Sequence, residues 1–260
     1  MEAPKMRVLI LGGTTEASAI ARHLAQDPRF AVTLSLAGRT SNPAAAPGLA
    51  LRVGGFGGSA GLARWLAEEK IAVVIDATHP YAAQISHNAD TAAAERGLPL
   101  CTVIRPPWQP DPADRWQTVH SMEAAADALG TEPQRVFLSI GRQGVGAFLR
   151  AQQHSYVIRS IEPPEDNALP PDTTVIQMRG PFTLEDEIDL LRSRHIDVVV
   201  SKNAGGAATY AKIEAARRLV LPVVMIERPY KAGRHFVATA EEALDWLVAR
   251  HAMSRSDRGV

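Results

Sequence analysis

Val8-Leu9-Ile10-Leu11-Gly12-Gly13-Thr14-Thr15-Glu16-Ala17 decides the fold of this chain. Four consecutive apolar residues read as a strand buried on both faces, the usual state of the centre of a parallel sheet. Two glycines make a tight turn, and Thr15–Ala25 follows as a helix with Ala17, Ile20, Ala21 and Leu24 on one side. Strand, glycine turn and helix form the opening of a βαβ unit, whose helix N-terminus favours an anion. Working outward, Ala31–Leu36, Leu51–Val53, Ile71–Ile75 and Leu100–Ile104 read as further strands. Helices fall between them, one capped by Ser59 and running through Glu69, another over Tyr81–Arg96. Pro106, Pro107, Pro110 and Pro112 then crowd around Trp108, which no helix or central strand tolerates, and read as a linker. The alternation resumes with strands at Thr118–Val119, Val136–Ile140, Tyr156–Ser160, Val175–Met178, Val198–Val200 and Val223–Ile226. Met122–Leu129, Leu184–Ser193, Ala207–Leu219 and Ala240–Arg250 read as its helices, the last with Thr239 and Glu242 as a capping box.

The halves resemble each other. Leu98-Pro99, an apolar strand and Arg105-Pro106 recur as Leu221-Pro222, an apolar strand and Arg228-Pro229. Ile71–Ile75 recurs as Ile196–Val200, and Val8–Gly13 as Val136–Gly141. The expected fold is therefore α/β, with two Rossmann-like parallel-sheet domains facing each other across a cleft. Residues 1–105 form the first, 106–116 the linker, 117–250 the second, and 251–260 a disordered tail.

Composition narrows the function. The 260 residues are 46% apolar and 22% charged, ordinary for a globular protein. Lys plus Arg equals Asp plus Glu at 28 each, without the basic excess of a general nucleic-acid binder. No apolar run approaches the ~20 residues that cross a bilayer. The polar start Met1–Met6 does not read as a secretory signal, so a cytoplasmic protein without membrane or nucleic-acid partners is expected. Cys101 alone makes neither a disulfide nor a metal cage, and no His, Cys or Asp cluster has ligand spacing; no metal is expected.

Ligands of open parallel sheets bind beyond the strands' carboxyl ends. Gly12, Gly13, Thr14, Thr15 and Glu16 are placed there to take a pyrophosphate. The second strand leads to Gly38, Arg39, Thr40 and Ser41, a guanidinium and two hydroxyls where an NAD site would carry an acid. That pattern suits a 2′-phosphate and points to NADPH/NADP. Gly55, in Gly54-Gly55-Phe56-Gly57-Gly58, permits close backbone approach, or simply a turn. Thr78, His79 and Tyr81, in Asp76-Ala77-Thr78-His79-Pro80-Tyr81, stand where the nicotinamide end would lie; His79 serves equally as a helix-entry residue. Cations mark the remaining strand ends: Arg105, Arg142 after Gly141, Arg179, Lys202 beside Asn203 and Gly205, and Arg228. Such a rim in a neutral protein fits a polyanionic substrate. The Tyr-x-x-x-Lys pair of short-chain dehydrogenases and the Gly-x-Ser-x-Gly elbow are absent, leaving hydride transfer from a bound cofactor as the expected chemistry.

Taken together, Gly12–Ala17, Gly38-Arg39-Thr40, Asp76–Ala82, Ser201–Gly206 with Thr209–Lys212, and Pro222–Pro229 resemble the precorrin-6A reductases of cobalamin biosynthesis over residues 6–250. The resemblance implies NADPH-dependent reduction of one double bond of the precorrin-6A macrocycle, a tetrapyrrole rich in carboxylates. It implies Gly12–Glu16, Gly38–Ser41, Gly55 and Thr78 at the cofactor. Arg105, Gly141, Arg142, Arg179, Lys202, Asn203, Gly205 and Arg228 fall to the substrate. A proton would come from water or from His79, Tyr81 or Lys202. A monomer or weak homodimer is expected. The rival readings are a reductase of another small anionic substrate and a non-catalytic NADP-sensing module.

Overall fold

A computed structural model describes residues 4–36 and 49–256. The chain divides into two compact units, Met1–Arg105 with Tyr230–Val260, and Pro106–Pro229. The first contains β1 (Met6–Leu11), α1 (Thr15–Ala25), β2 (Phe30–Leu36), β3 (Leu49–Val53), α2 (Gly58–Glu68), β4 (Val73–Asp76), α3 (Ala83–Glu95) and β5 (Leu100–Val103). The second contains β6 (Trp116–Val119), α4 (Met122–Asp127), β7 (Arg135–Ser139), a 3-10 stretch over Arg142–Arg150, β8 (Ser155–Ser160), β9 (Thr173–Gln177), α5 (Leu184–Ser193), β10 (Val198–Lys202), α6 (Ala211–Arg218) and β11 (Val223–Ile226). The chain then returns to the first unit as β12 (His235–Val237) and α7 (Ala240–Ser256).

Both sheets are parallel throughout. The first runs β12-β5-β4-β1-β2-β3 and the second β6-β11-β10-β7-β8-β9. β1 and β7 stand centrally in their sheets and the strand order reverses beside each, the doubly wound order of dinucleotide-binding sheets. In β1, Val8 and Ile10 face α1 and α7, packing on Ile20, Leu24, Ala243 and Leu247. Leu9 and Leu11 face the other way, onto Leu62, Leu66, Ala89 and Ala93 of α2 and α3. This two-sided burial explains the uninterrupted apolar run. In the second unit Phe137, Val157, Val199 and Met225 pack on Leu191, Ile213 and Ala216.

The matching strand orders bear out the internal repeat and add an exchange. The strand following β5 joins the second sheet, while the strand following β11 joins the first. The expected domain boundaries are corrected accordingly. Residues 106–116 are no free linker, because Trp108 is buried in the second unit's core and Asn203 binds its backbone. Residues 230–250 belong to the first unit, since β12 pairs with β5 and α7 covers β1. Three residues with His235 and Phe236 exposed carry no apolar run to announce that strand. The expected tail at 251–260 is helical as far as Ser256, where His251 packs edge-on against Phe30 at 5.4 Å. Residues 257–260 lie outside the described residues. Helix α6 starts at Ala211 rather than Ala207, after the positive-φ pair Gly205 and Gly206. Helix α2 is entered through Gly57 without a side-chain cap, so Ser59 lies within its first turn.

Leu247 has no exposed surface and sits on the segment whose unit differs from the sequence expectation. Leu247→Ala is expected to cost about 2–5 kcal/mol in urea unfolding. Amide exchange should accelerate in β1 and β2, and acceleration confined to β7 and β8 would contradict the assignment of α7.

Candidate active site

In the first unit the strand ends converge on the β1–α1 turn. A Cβ on Gly12 would stand 2.7 Å from Leu34 Cδ1, so this glycine lets the turn close over β2. At Gly13, Gly54, Gly55 and Gly57 no described atom comes within 4 Å of a built Cβ. Bare backbone along this edge fits the phosphates of a dinucleotide. Thr14 caps α1, its Oγ1 accepting from Ala17 N at 3.1 Å and donating to the Ala77 carbonyl at 2.7 Å. The hydroxyl therefore ties β1 to the end of β4. Thr15 Oγ1 donates to Glu16 Oε2. Both Glu16 oxygens accept from Arg105 Nη1, at 3.0 and 2.9 Å. Burial pushes the Glu16 carboxyl up, but its backbone hydrogen bond, the Arg105 charge and the Arg105 and Thr15 hydrogen bonds together hold it below the ordinary value. The carboxylate beside the β1–α1 turn is thus already neutralised, and Arg105 stands beside α1 and Thr78 in the first unit. Arg52 donates to the carbonyls of Gly54 and Gly55 and lies 3.6 Å over Phe56, tying down the β3–α2 loop.

Beyond β4, His79 and Tyr81 come together. Tyr81 N donates to His79 Nδ1 at 3.2 Å, and the ring centroids are 5.6 Å apart. That bond leaves the proton of a neutral imidazole on Nε2. Asp76, fully buried, accepts at Oδ1 from Thr78 N (3.0 Å) and Thr78 Oγ1 (2.6 Å). Gly38, Arg39, Thr40 and Ser41 lie outside the described residues.

In the second unit the predicted residues divide. Arg142 follows positive-φ Gly141 and pairs with Glu162 at 2.9 Å, Arg179 is exposed, and Lys202 ends β10 half-buried. Asn203, Gly205 and Arg228 have internal duties. Asn203 Oδ1 accepts from Trp108 N at 2.8 Å while Nδ2 donates to Trp108 O at 3.0 Å. Arg228 donates to the carbonyls of Asn203 (2.7 Å) and Pro106 (3.1 Å). A Cβ at Gly205 would stand 2.2 Å from the Pro106 oxygen, so only glycine allows that strand end and the Pro106–Trp108 segment to meet. Trp108 and Tyr210 line a cavity of about 500 Å³ that also borders Gly206 and Ala207, at the carboxyl end of β10.

Sequence reading missed the charged groups inside the fold. Arg159 pairs with Glu187 at 2.6 Å, both buried. Lys212 is buried beside them, donating to the Thr209 carbonyl at 2.7 Å and lying 4.9 Å from the Trp108 ring centroid. Burial, reinforced by the Arg159 charge and opposed by Glu187, brings the Lys212 ammonium down to about 7. Lys231, 4% exposed, lies 3.5 Å from Asp76 Oδ1. Its signal was the repeat itself: it stands three residues past Arg228, as Trp108 stands three past Arg105. Asp76, a carboxylate closing an otherwise apolar strand, also asked for a cation.

A doubly wound parallel sheet with a bare glycine turn at its first helix and hydrogen-bonding side chains at the end of β4 defines a nucleotide-binding oxidoreductase fold. The model of the precorrin-6x reductase CbiJ/CobK family matches residues 7–248, and the chain belongs to that family. It is 52% identical to a precorrin-6A reductase of Sinorhizobium sp over 95% of each chain. A solved structure titled CobK precorrin-6A reductase superposes with a TM-score of 0.87, at 49% identity, covering 95% of this chain and 97% of the other. A cobalt-precorrin-6A reductase of Methanothermobacter thermautotrophicus is more distant, 30% identical over 86% of this chain and 77% of its own length. Among the described residues no helix is long and apolar enough to cross a membrane, and no cluster of His, Cys, Asp and Glu could hold a metal ion.

The buried lysine makes stability depend on pH. An unfolded chain keeps the Lys212 proton up to about pH 10.5, whereas the folded chain releases it near 7. Between those values the unfolded state binds more protons, so this group makes stability rise with pH. Urea midpoints of the wild type minus those of Lys212→Met should therefore climb from pH 7 towards 10. Parallel curves would contradict a neutral buried amine.

Proposed function

We propose that the chain reduces metal-free precorrin-6A to precorrin-6B with NADPH, as a step of cobalamin biosynthesis. The family match carries this reading, because it runs through both units rather than through the dinucleotide fold alone. The metal-free substrate follows the 52% identical relative, named for precorrin-6A, over the 30% identical one named for the cobalt form. NADPH would be held by the first unit. The Gly12–Thr15 turn would take its pyrophosphate, with Arg39, Thr40 and Ser41 at the 2′-phosphate and Gly55 and Thr78 along its length. Bound there, it supplies the hydride.

The chain's own groups bind and orient. Arg142, Arg179 and Lys202 pair with substrate carboxylates, and forked guanidinium contacts suit that task. Asn203, Gly205 and Arg228 keep the shape of the β10 end, and Arg105 holds Glu16 away from the anion. His79 offers an Nε2 proton at the end of β4. The proton for the second ring carbon comes from His79, Tyr81, Lys202 or water.

The test is anaerobic, with the chain, NADPH and precorrin-6A, following nicotinamide absorbance and the pigment spectrum together. Stoichiometric NADPH loss with a shifted pigment spectrum is expected. Arg39→Ala should raise KM for NADPH about 10- to 100-fold, the value of one or two charge-assisted hydrogen bonds, and leave NADH use unchanged. Tight NADPH binding without oxidation would overturn the assignment.

A further inference from the structure

Thr78 is gripped at both ends of its peptide. Its N–H and hydroxyl donate to Asp76 Oδ1. Its carbonyl and Oγ1 accept from Lys231 Nζ, at 2.9 and 3.1 Å. Asp76, Thr78 and Lys231 are all buried in the first unit, and Lys231 reaches the other two on the segment by which the chain returns after Pro229. Next comes His79-Pro80-Tyr81-Ala82, which is tied to itself. Tyr81 N donates to His79 Nδ1, Ala82 N donates to His79 O at 2.8 Å, and Pro80 is buried with its φ set by its ring. The loop continues directly from the Thr78 peptide, so the direction of that peptide is the direction in which the loop starts.

The second unit makes the same closure without an ammonium–carboxylate pair, Arg228 bracing only the carbonyls of Asn203 and Pro106. Asn203 stands beyond β10 as Thr78 stands beyond β4, and it holds the crossing segment through the Trp108 backbone by two amide bonds. An ammonium–carboxylate pair is thus not needed to register a crossing segment on a sheet. Such a pair is costly to bury, and its net contribution to stability is small or negative against an apolar replacement. Its place beneath the His79–Tyr81 loop has a different yield, because the Lys231 ammonium reaches Thr78 O and Oγ1 while Asp76 Oδ1 accepts from Thr78 N and Oγ1, so that the Thr78 peptide is held from both sides.

We infer that Lys231, acting with Asp76 through Thr78, is a positioning residue that sets the His79–Tyr81 loop for hydride transfer. The inference rests on the proposed reduction of precorrin-6A, and its test separates the two. Lys231→Met strands the buried Asp76 charge and is expected to lower Tm. Asp76→Asn/Lys231→Met removes both charges and should return Tm to within about 3 °C of the wild type. In that double variant kcat should remain at least about 10-fold low with KM for NADPH and precorrin-6A little changed, the signature of misplacement. Amide exchange over Thr78–Ala82 should quicken about 10-fold while β1 and β7 keep their protection.

Recovery of kcat together with Tm would overturn the assignment, as would unaltered exchange over Thr78–Ala82. A double variant as unstable as the single one would also contradict it, since the pair would then be a determinant of the fold. If the wild type fails to turn over precorrin-6A, the functional reading falls, and the exchange result alone decides whether Lys231 holds the loop.

Discussion

Parallel strands buried on both faces cannot be joined by hairpins, so every neighbour in these sheets must be reached by a crossover. This constraint governs the whole chain. Each sheet joins five strands, β1–β5 or β7–β11, to a sixth, β12 or β6, that is the next strand after an Arg-Pro step. Arg105-Pro106 leads out of the first unit and Arg228-Pro229 leads back. After each step, the third residue past the arginine is pinned at the carboxyl end of a strand, Trp108 by Asn203 just past β10 and Lys231 by Asp76 and Thr78 at the end of β4. The sites of interest lie at these same strand ends. The contacts that complete the fold and the contacts that shape the site are therefore largely one set.

Local pattern carried much of the fold into the sequence. Thr15–Ala25, Leu184–Ser193 and Val223–Ile226 match their observed bounds, because their apolar spacing and their capping or glycine signals are local. The repeat was legible for the same reason. What it could not reveal was the destination of the strands after each Arg-Pro step. Partner choice is a tertiary property, and Trp116–Val119 and His235–Val237 are too short and too exposed to declare a sheet. The prolines around Trp108 read as a linker because their backbone restriction is visible, whereas the buried indole and its hydrogen bond to the Gly206 carbonyl are not.

The site was legible by type more than by duty. Residues after strand ends are readable once the fold class is known, and the β1–α1 turn and the His79–Tyr81 loop lie where the pattern puts them. Charge has more duties than the pattern shows. Arg105 and Arg228 read as a substrate-facing rim, and in the fold one also neutralises Glu16 and the other also braces two carbonyls. A guanidinium has five donors and serves a peptide oxygen as readily as a carboxylate. Lys212, Lys231 and the Arg159–Glu187 pair escaped notice because lysine, arginine and glutamate are ordinarily solvated. Only packing shows that these are inside.

In the proposed reaction a hydride passes from a nicotinamide held on the first unit to the tetrapyrrole. The most direct measurement supplies NADPH deuterated at nicotinamide C4, one face at a time, and examines the product by mass spectrometry and NMR. One deuterium on a single ring carbon, from one of the two faces only, with a solvent-derived hydrogen on its neighbour, is the predicted result. A reduced product without deuterium from either face would contradict it.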